Sequence, residues 1–417
     1  MSRVSRIGRA ACAAVIAATL TACGAIDSLK RVPDTVVGWF DGDARHPALA
    51  RFIAEGQVRT VWSNDFGASG NYVFAPLLRE GSVCGASVKG RVSCLDLATG
   101  KVLWTVELKT PLSAGVGTDG QRLLVVSQTS ELIALESDGR TAWRAQVSGE
   151  VLAPPRGMPG LIVIRTTDGR IQGLDSETGK RKWSYQRQLP ALTIRSQAGV
   201  LFDRDRVYAG WPGGKFTALS ADKGLVLWEV TVAIPKGSTE LERVADIVSD
   251  PVINGERVCV TAFQGRTVCI DRERGQIIWA RDIPSTGSVS FDFKRAYVAD
   301  EKGTIHGLER VNGASDWSQD AFKGRIPSGP LSYGDHVWFG DVEGYVHLVD
   351  RANGRFRART ETDGSQILLT PLQTAAGVLV TTRKGNVRMM QFVATLKGSD
   401  GAPAVERPVD VTPTAPR

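Results

Sequence analysis

Histidine and methionine are scarce, with four of each in 417 residues, and cysteine occurs only six times. Four scattered histidines give no zinc-ligand spacing, and His306 and His347 fall at strand positions where packing is their expected role. No Gly-x-Ser-x-Gly elbow occurs, which removes the α/β-hydrolase nucleophile. No Asp-x-Asp-x-Asp-Gly loop or other dense carboxylate cluster offers a calcium site. The match to Gly-x-Gly-x-x-Gly, Gly115 to Gly120, has no helix after it to receive a phosphate and is expected to be a turn. The 51 Lys and Arg are spread among 44 Asp and Glu, so no basic stripe marks a nucleic-acid partner. Beyond the first two dozen residues no apolar run is long enough to span a bilayer.

What is present begins with an address. "MSRVSRIGR" holds three arginines and no acids, and "AACAAVIAATLTA" is a short apolar run, the pattern of a secretory signal over residues 1–22. Leu20-Thr21-Ala22-Cys23 resembles a bacterial lipobox, which makes Cys23 the expected site of acylation, palmitate included, and the start of the mature chain. Losing those three arginines takes the net charge from +7 to +4. Gly24 stands where inner-membrane lipoproteins commonly carry Asp, so the resemblance implies the periplasmic face of the outer membrane. Residues 23–55 read as a lipid-anchored tether with at most a short helix. Residues 397–417, rich in Pro, Ala and Val, read as a disordered tail.

Between these ends, the tryptophans keep time. "LDLATGKVLW", "LESDGRTAW", "LDSETGKRKW", "LSADKGLVLW", "IDRERGQIIW" and "LERVNGASDW" end at Trp104, Trp143, Trp183, Trp228, Trp279 and Trp317, and "VDRANGRFRA" puts Ala358 in the same slot. Successive intervals are 39, 40, 45, 51, 38 and 41. A second turn signal accompanies each copy, from "KGRV" at Gly90 to "KGNV" at Gly385, making eight against seven. The missing partner lies at the start, where "VRTVW" carries Trp62 on a strand with no hairpin before it. Two hairpin signals every forty or so residues mean four short antiparallel strands per unit. The expected fold is all-β: a single eight-bladed β-propeller over residues 56–396, its ring closed by the N-terminal strand completing the last blade.

The Trp-bearing blade motif resembles the pyrroloquinoline-quinone-type propeller repeat. With the lipobox, "LPALTIR", "GSTELERVADI" and "GDVEGYVHLVD" it resembles more specifically the BamB family, lipoprotein subunits of the outer-membrane β-barrel assembly machinery. The resemblance covers roughly residues 20–393. It implies a non-enzymatic scaffold without cofactor, partnered by the POTRA domains of BamA and by unfolded outer-membrane protein substrates. Two readings of other classes stand beside it: a quinone-dependent periplasmic dehydrogenase, and a glycan- or peptide-binding propeller lipoprotein. The dehydrogenases carry two adjacent cysteines and an acidic calcium site, and neither pattern occurs here.

The cysteines suggest bracing instead. Cys84 and Cys94 bracket one hairpin turn and Cys259 and Cys269 another, each pair ten apart, so the members face each other across two strands. Two cross-strand disulfides are expected in an oxidising compartment, with buried free thiols as the alternative.

The repeat also advertises where it breaks. The surplus residues fall after Trp183, in "QRQLPALTIRSQ", and after Trp228, in "AIPKGSTELERVADIVSD". Both join an outer strand to the next inner one, so both should emerge on one face, and insertions clustered on one face mark a binding surface. The family resemblance carries BamA contact to Leu192, Ile194, Arg195 and Asp246. Arg243 joins them as a basic group beside Glu240, Glu242 and Asp246, acids expected to pair with it, with Arg195, or with a partner. Val248 departs from the family's second acid, with Asp250 beyond it. The competing expectation is that Leu192 and Ile194 belong to an inner strand and point into the core.

Overall fold

A computed structural model describes residues 46–395; Cys23, the signal, most of the tether and the C-terminal tail lie outside the described residues. Among the described residues the chain forms thirty-two strands and no helix. Each hairpin turn is made by its own side chains. In "LDLATGK" the Asp96 carboxylate accepts the Thr99 N–H at 2.8 Å and the Thr99 hydroxyl at 2.6 Å. Gly100, at φ +69°, supplies the left-handed residue that lets the chain reverse. The acids of these motifs are therefore turn formers.

The strands assemble in chain order into antiparallel sheets, six of four strands and one of eight. The first internal sheet runs β2 (Leu77–Arg79), β3 (Ser82–Ala86), β4 (Arg91–Asp96) and β5 (Val102–Glu107). The eight-stranded sheet is two such sets joined by one parallel pair. Arg156 of β10 (Arg156–Met158) stands beside Thr118 of β6 (Leu112–Thr118). Gly115 and Gly117 of the glycine motif lie within β6, and only Gly120 is in a turn; the sequence places too much of that motif in the loop. Middle strands are buried on both faces, which is why they read as continuous apolar runs rather than alternating ones. The N-terminal β1 (Gly56–Asp65) pairs along its length with the C-terminal β32 (Asn386–Ala394), in a sheet completed by β31 (Gly377–Thr381) and β30 (Leu372–Thr374).

Tryptophan seals one sheet to the next. Each sits on an outer strand and lies flat against the turn glycine of the following sheet: Trp62 on Gly100, Trp104 on Gly139, Trp143 on Gly179, Trp183 on Gly224, Trp228 on Gly275, Trp279 on Gly313 and Trp317 on Gly354. A Cβ at any of these glycines would strike the ring. Several indoles also donate to a carbonyl of that turn, Trp183 to Ala221 at 2.8 Å and Trp279 to Arg310 at 3.1 Å among them. Ala358 breaks the series for a topological reason. The next sheet takes its third and fourth strands from opposite ends of the chain, so it has no such turn for an indole to cover.

The segment before β1 occupies this seam instead. Phe52 stacks on Phe356 at 4.9 Å, and the Arg359 guanidinium lies 5.3 Å from the Phe52 ring centroid. The Glu55 N–H donates to Arg357 O, and Thr395 N–H donates to Glu55 O. Further back, Arg325 donates to Pro47 O and Arg359 to Ala50 O. Residues 47–55 thus form an extended strap laid along the protein, with no helix.

Candidate docking face

The two longest connections lie side by side. The first, 187–199, links β13 (Arg181–Gln186) to β14 (Val200–Asp203). The second, 232–251, links β17 (Val226–Thr231) to β18 (Val252–Asn254). Three rungs join them. Ile194 N–H donates to Asp246 Oδ2 at 2.7 Å, the Ser196 hydroxyl to Val248 O at 3.4 Å, and Gly199 N–H to Asp250 Oδ1 at 2.6 Å. The hairpin turn between β15 (Arg206–Gly210) and β16 (Lys215–Ser220) sits against the second connection, as Gly213 N–H donates to Asp246 Oδ1 at 3.0 Å and Ile247 N–H donates to Trp211 O.

These contacts sort the expected residues. Leu192 and Ile194 belong to no strand, so the core-strand alternative does not hold. Leu192 is 44% exposed, Ile194 is half-buried, and Leu189 packs inward on the cluster containing Trp183 and Trp211. Asp246 does not present its carboxylate outward. It is 2% exposed and both oxygens are taken by backbone N–H groups, while burial still raises its pKa above the ordinary carboxylate value. Its role within the protein is to hold the connections in register. Asp250 takes the third rung, which leaves Val248 lending only its carbonyl.

Of the expected ion pairs, only that of Arg243 with Glu240 forms among the described residues. Arg195 is exposed and pairs with Glu150 at 2.7 Å, with its guanidinium 5.3 Å from the Tyr72 ring. Arg243 faces Glu240 at 3.9 Å on the surface, a pair of little energetic weight. Glu242 turns back to accept the N–H groups of Ser238 and Thr239, while the Thr239 hydroxyl accepts the Glu242 N–H. That reciprocal arrangement is a capping box closing a single turn.

Between the two connections and the sheet before them opens a cavity of about 220 Å³, walled by Leu152, Leu189, Ile194, Pro212, Ile247 and Val248. Arg165, at the end of β11 (Leu161–Arg165), Glu150 and Arg195 also line it. Sequence reasoning did not single out Arg165, Glu150 or Tyr72. The one available signal was an arginine closing the apolar run "LIVIR". Burial lowers the Arg165 guanidinium to about 10, so it remains charged at neutral pH.

Elsewhere the polar groups serve the framework. Cys84 with Cys94 and Cys259 with Cys269 are directly paired across β3–β4 and across β19 (Arg257–Thr261) and β20 (Thr267–Asp271), with Cα atoms 4.0 and 4.1 Å apart, and are disulfide-bonded. His306 meets Asp300 and His347 meets Asp341, each at 3.0 Å, and the same aspartates close the preceding turns. Among the described residues no group of three or more His, Cys, Asp or Glu is arranged to hold a metal.

Stacked four-stranded sheets sealed by tryptophan define a β-propeller-type protein with the pyrroloquinoline-quinone-like repeat. A family profile described as "Outer membrane protein assembly factor BamB" matches residues 88–319. The BamB of Bordetella pertussis is 37% identical over 393 residues, covering 94% of this chain and all of that protein. The chain belongs to the BamB family. Its fold is similar to the crystal structure of BamB from Moraxella catarrhalis, with TM-score 0.73 and 24% identity over 80% of this chain and 100% of that one. It is also similar to quinohemoprotein alcohol dehydrogenase from Comamonas testosteroni, with TM-score 0.64 and 14% identity over 80% of this chain and 76% of that one. At those identities the structural likenesses speak to the fold alone.

Proposed function

We propose that this chain is a non-enzymatic scaffold of the outer-membrane protein assembly machinery that binds the POTRA domains of BamA and assists folding and insertion of β-barrel proteins. In this reading the sheets form eight blades in a ring closed where β1 joins β32, and acylated Cys23 holds the ring at the periplasmic face of the outer membrane. The observation that carries the proposal is the laddered pair of connections. They hold Leu192 and Arg195 exposed on a rigid frame beside a partly apolar cavity, the mixture of aliphatic and arginine anchors found at protein interfaces. Asp246 contributes by fixing the frame and Arg243 by its place on the second connection. The quinone-dehydrogenase reading has only the shared fold in its favour, and the cysteines here join strands across a hairpin rather than neighbours in sequence.

The test is Leu192→Glu with Arg195→Glu, scored by co-purification of BamA from solubilised envelopes with folding checked by thermal unfolding. Loss of BamA from a folded variant is the expected result. Retention at the wild-type level would reject this face as the docking site.

A further inference from the structure

We infer that the cavity between the two connections is a receptor for an acidic side chain of the protein partner, with Arg165 as the group that reads it. The inference rests on the docking face proposed above and adds the chemistry that the face selects.

The three buried arginines each hold a carboxylate: Arg272 holds Asp203 and Glu256, Arg295 holds Asp316, and Arg325 holds Asp341 and Glu343. That is the rule for a guanidinium taken out of water. Arg165 is partly buried, yet among the described residues no carboxylate stands within ion-pair distance of it. One nitrogen donates to Ala198 O at 3.1 Å, and the group lies 5.3 Å over the Trp211 ring. The acids that act on it, Asp250 and Asp246, accept backbone N–H groups, Asp246 from Ile194 and Gly213 and Asp250 from Gly199, while Glu150 on the cavity wall pairs with Arg195. The remaining donors of the planar fork belong to a residue that lines an open cavity.

A fork of parallel N–H donors matches a carboxylate with both oxygens, which a lysine ammonium cannot do. Packing on Trp211 and the bond to Ala198 O hold the fork in place, so little side-chain entropy is lost when the acid arrives. The apolar walls formed by Leu152, Leu189, Ile194 and Val248 suit an aspartate or glutamate flanked by aliphatic groups.

The experiment compares wild type, Arg165→Met, Arg165→Lys and Leu192→Glu as full mature proteins. Binding to the purified periplasmic domains of the partner is measured by calorimetry at two salt concentrations. Arg165→Met is expected to weaken binding at least about tenfold and to flatten its salt dependence, with Arg165→Lys losing several-fold. Should Arg165→Met fold poorly, Arg165→Lys decides, since it keeps the charge and the packed stem and loses only the fork. If both Arg165 variants bind within twofold of wild type while Leu192→Glu does not bind, the docking face stands and the acid receptor is refuted. If Leu192→Glu also binds normally, the face itself is wrong.

Discussion

At Asp246 two N–H donors favour the ionised carboxylate while burial opposes it, and burial prevails in its pKa. Asp246→Ala would leave the Ile194 and Gly213 N–H groups without an acceptor. Such a loss costs about 1–3 kcal/mol for each buried donor left unmade. Lower thermal stability and a loosened docking face should therefore appear together in calorimetry and pull-down. Glu301 titrates where physiology can reach it. It accepts the Gln264 N–H at 2.8 Å, and burial raises it from 4.5 to about 7. A carboxyl raised in the folded state binds its proton more tightly there than when unfolded. Stability should therefore fall as pH climbs from about 4.5 to about 7, by up to about 1.4 kcal/mol per pH unit. Denaturant midpoints across that window should lose this slope in Glu301→Gln, whose amide oxygen can still take the N–H.

The strand and its turn are the units the sequence spelled out best, because each is written locally. An acid, a left-handed Gly and a Trp within about ten residues determine a hairpin and the seam it seals, and all three recur in order in the six copies that end in Trp. Ala358 was legible as a gap but not as a consequence, since its cause lies in where the chain begins and ends. Filling that gap should harm. Ala358 is 1% exposed, and Ala358→Trp is expected to cost about 1–3 kcal/mol through overpacking, whereas Trp279→Ala should cost about 3–5 kcal/mol through the void it leaves. Thermal midpoints of the two variants would check both. The disulfides each close a short loop, and replacing either pair with alanine should cost about 2–3 kcal/mol. Non-reducing peptide mapping should recover both pairs linked; four alkylatable thiols in the native protein would contradict it. The two long connections were legible by length alone. The interior of the docking face was not, because Asp246 meets Ile194 across 52 residues and Arg165 enters from a third element. No local pattern records such meetings.

For the whole molecule, the junction of β1 with β32 outweighs any single blade seam. A chain starting at Gly56 keeps every strand but loses the strap; it should fold and lose stability chiefly through Phe52. Phe52→Ala alone should cost about 1 kcal/mol by removal of its stacking on Phe356. A chain starting after Asp65 leaves the full edge of β32 open and should aggregate, since an unpaired hydrophobic strand edge recruits other chains. Size-exclusion chromatography of the two truncations separates these outcomes.

The pairing of Gly56 with Ala394 also has a meaning in time. A polypeptide made from its N-terminus delivers β1 first and β32 last, with every other strand arriving between. Sheets in the middle can form as they appear, because their four strands are consecutive. The terminal sheet must wait for the entire chain, and β1 must be kept from wrong partners throughout. Contacts this distant in sequence are also the slowest to form. Until β32 arrives the leading strand has no partner in its own chain, so its late pairing is as much a condition of this fold as any residue within it.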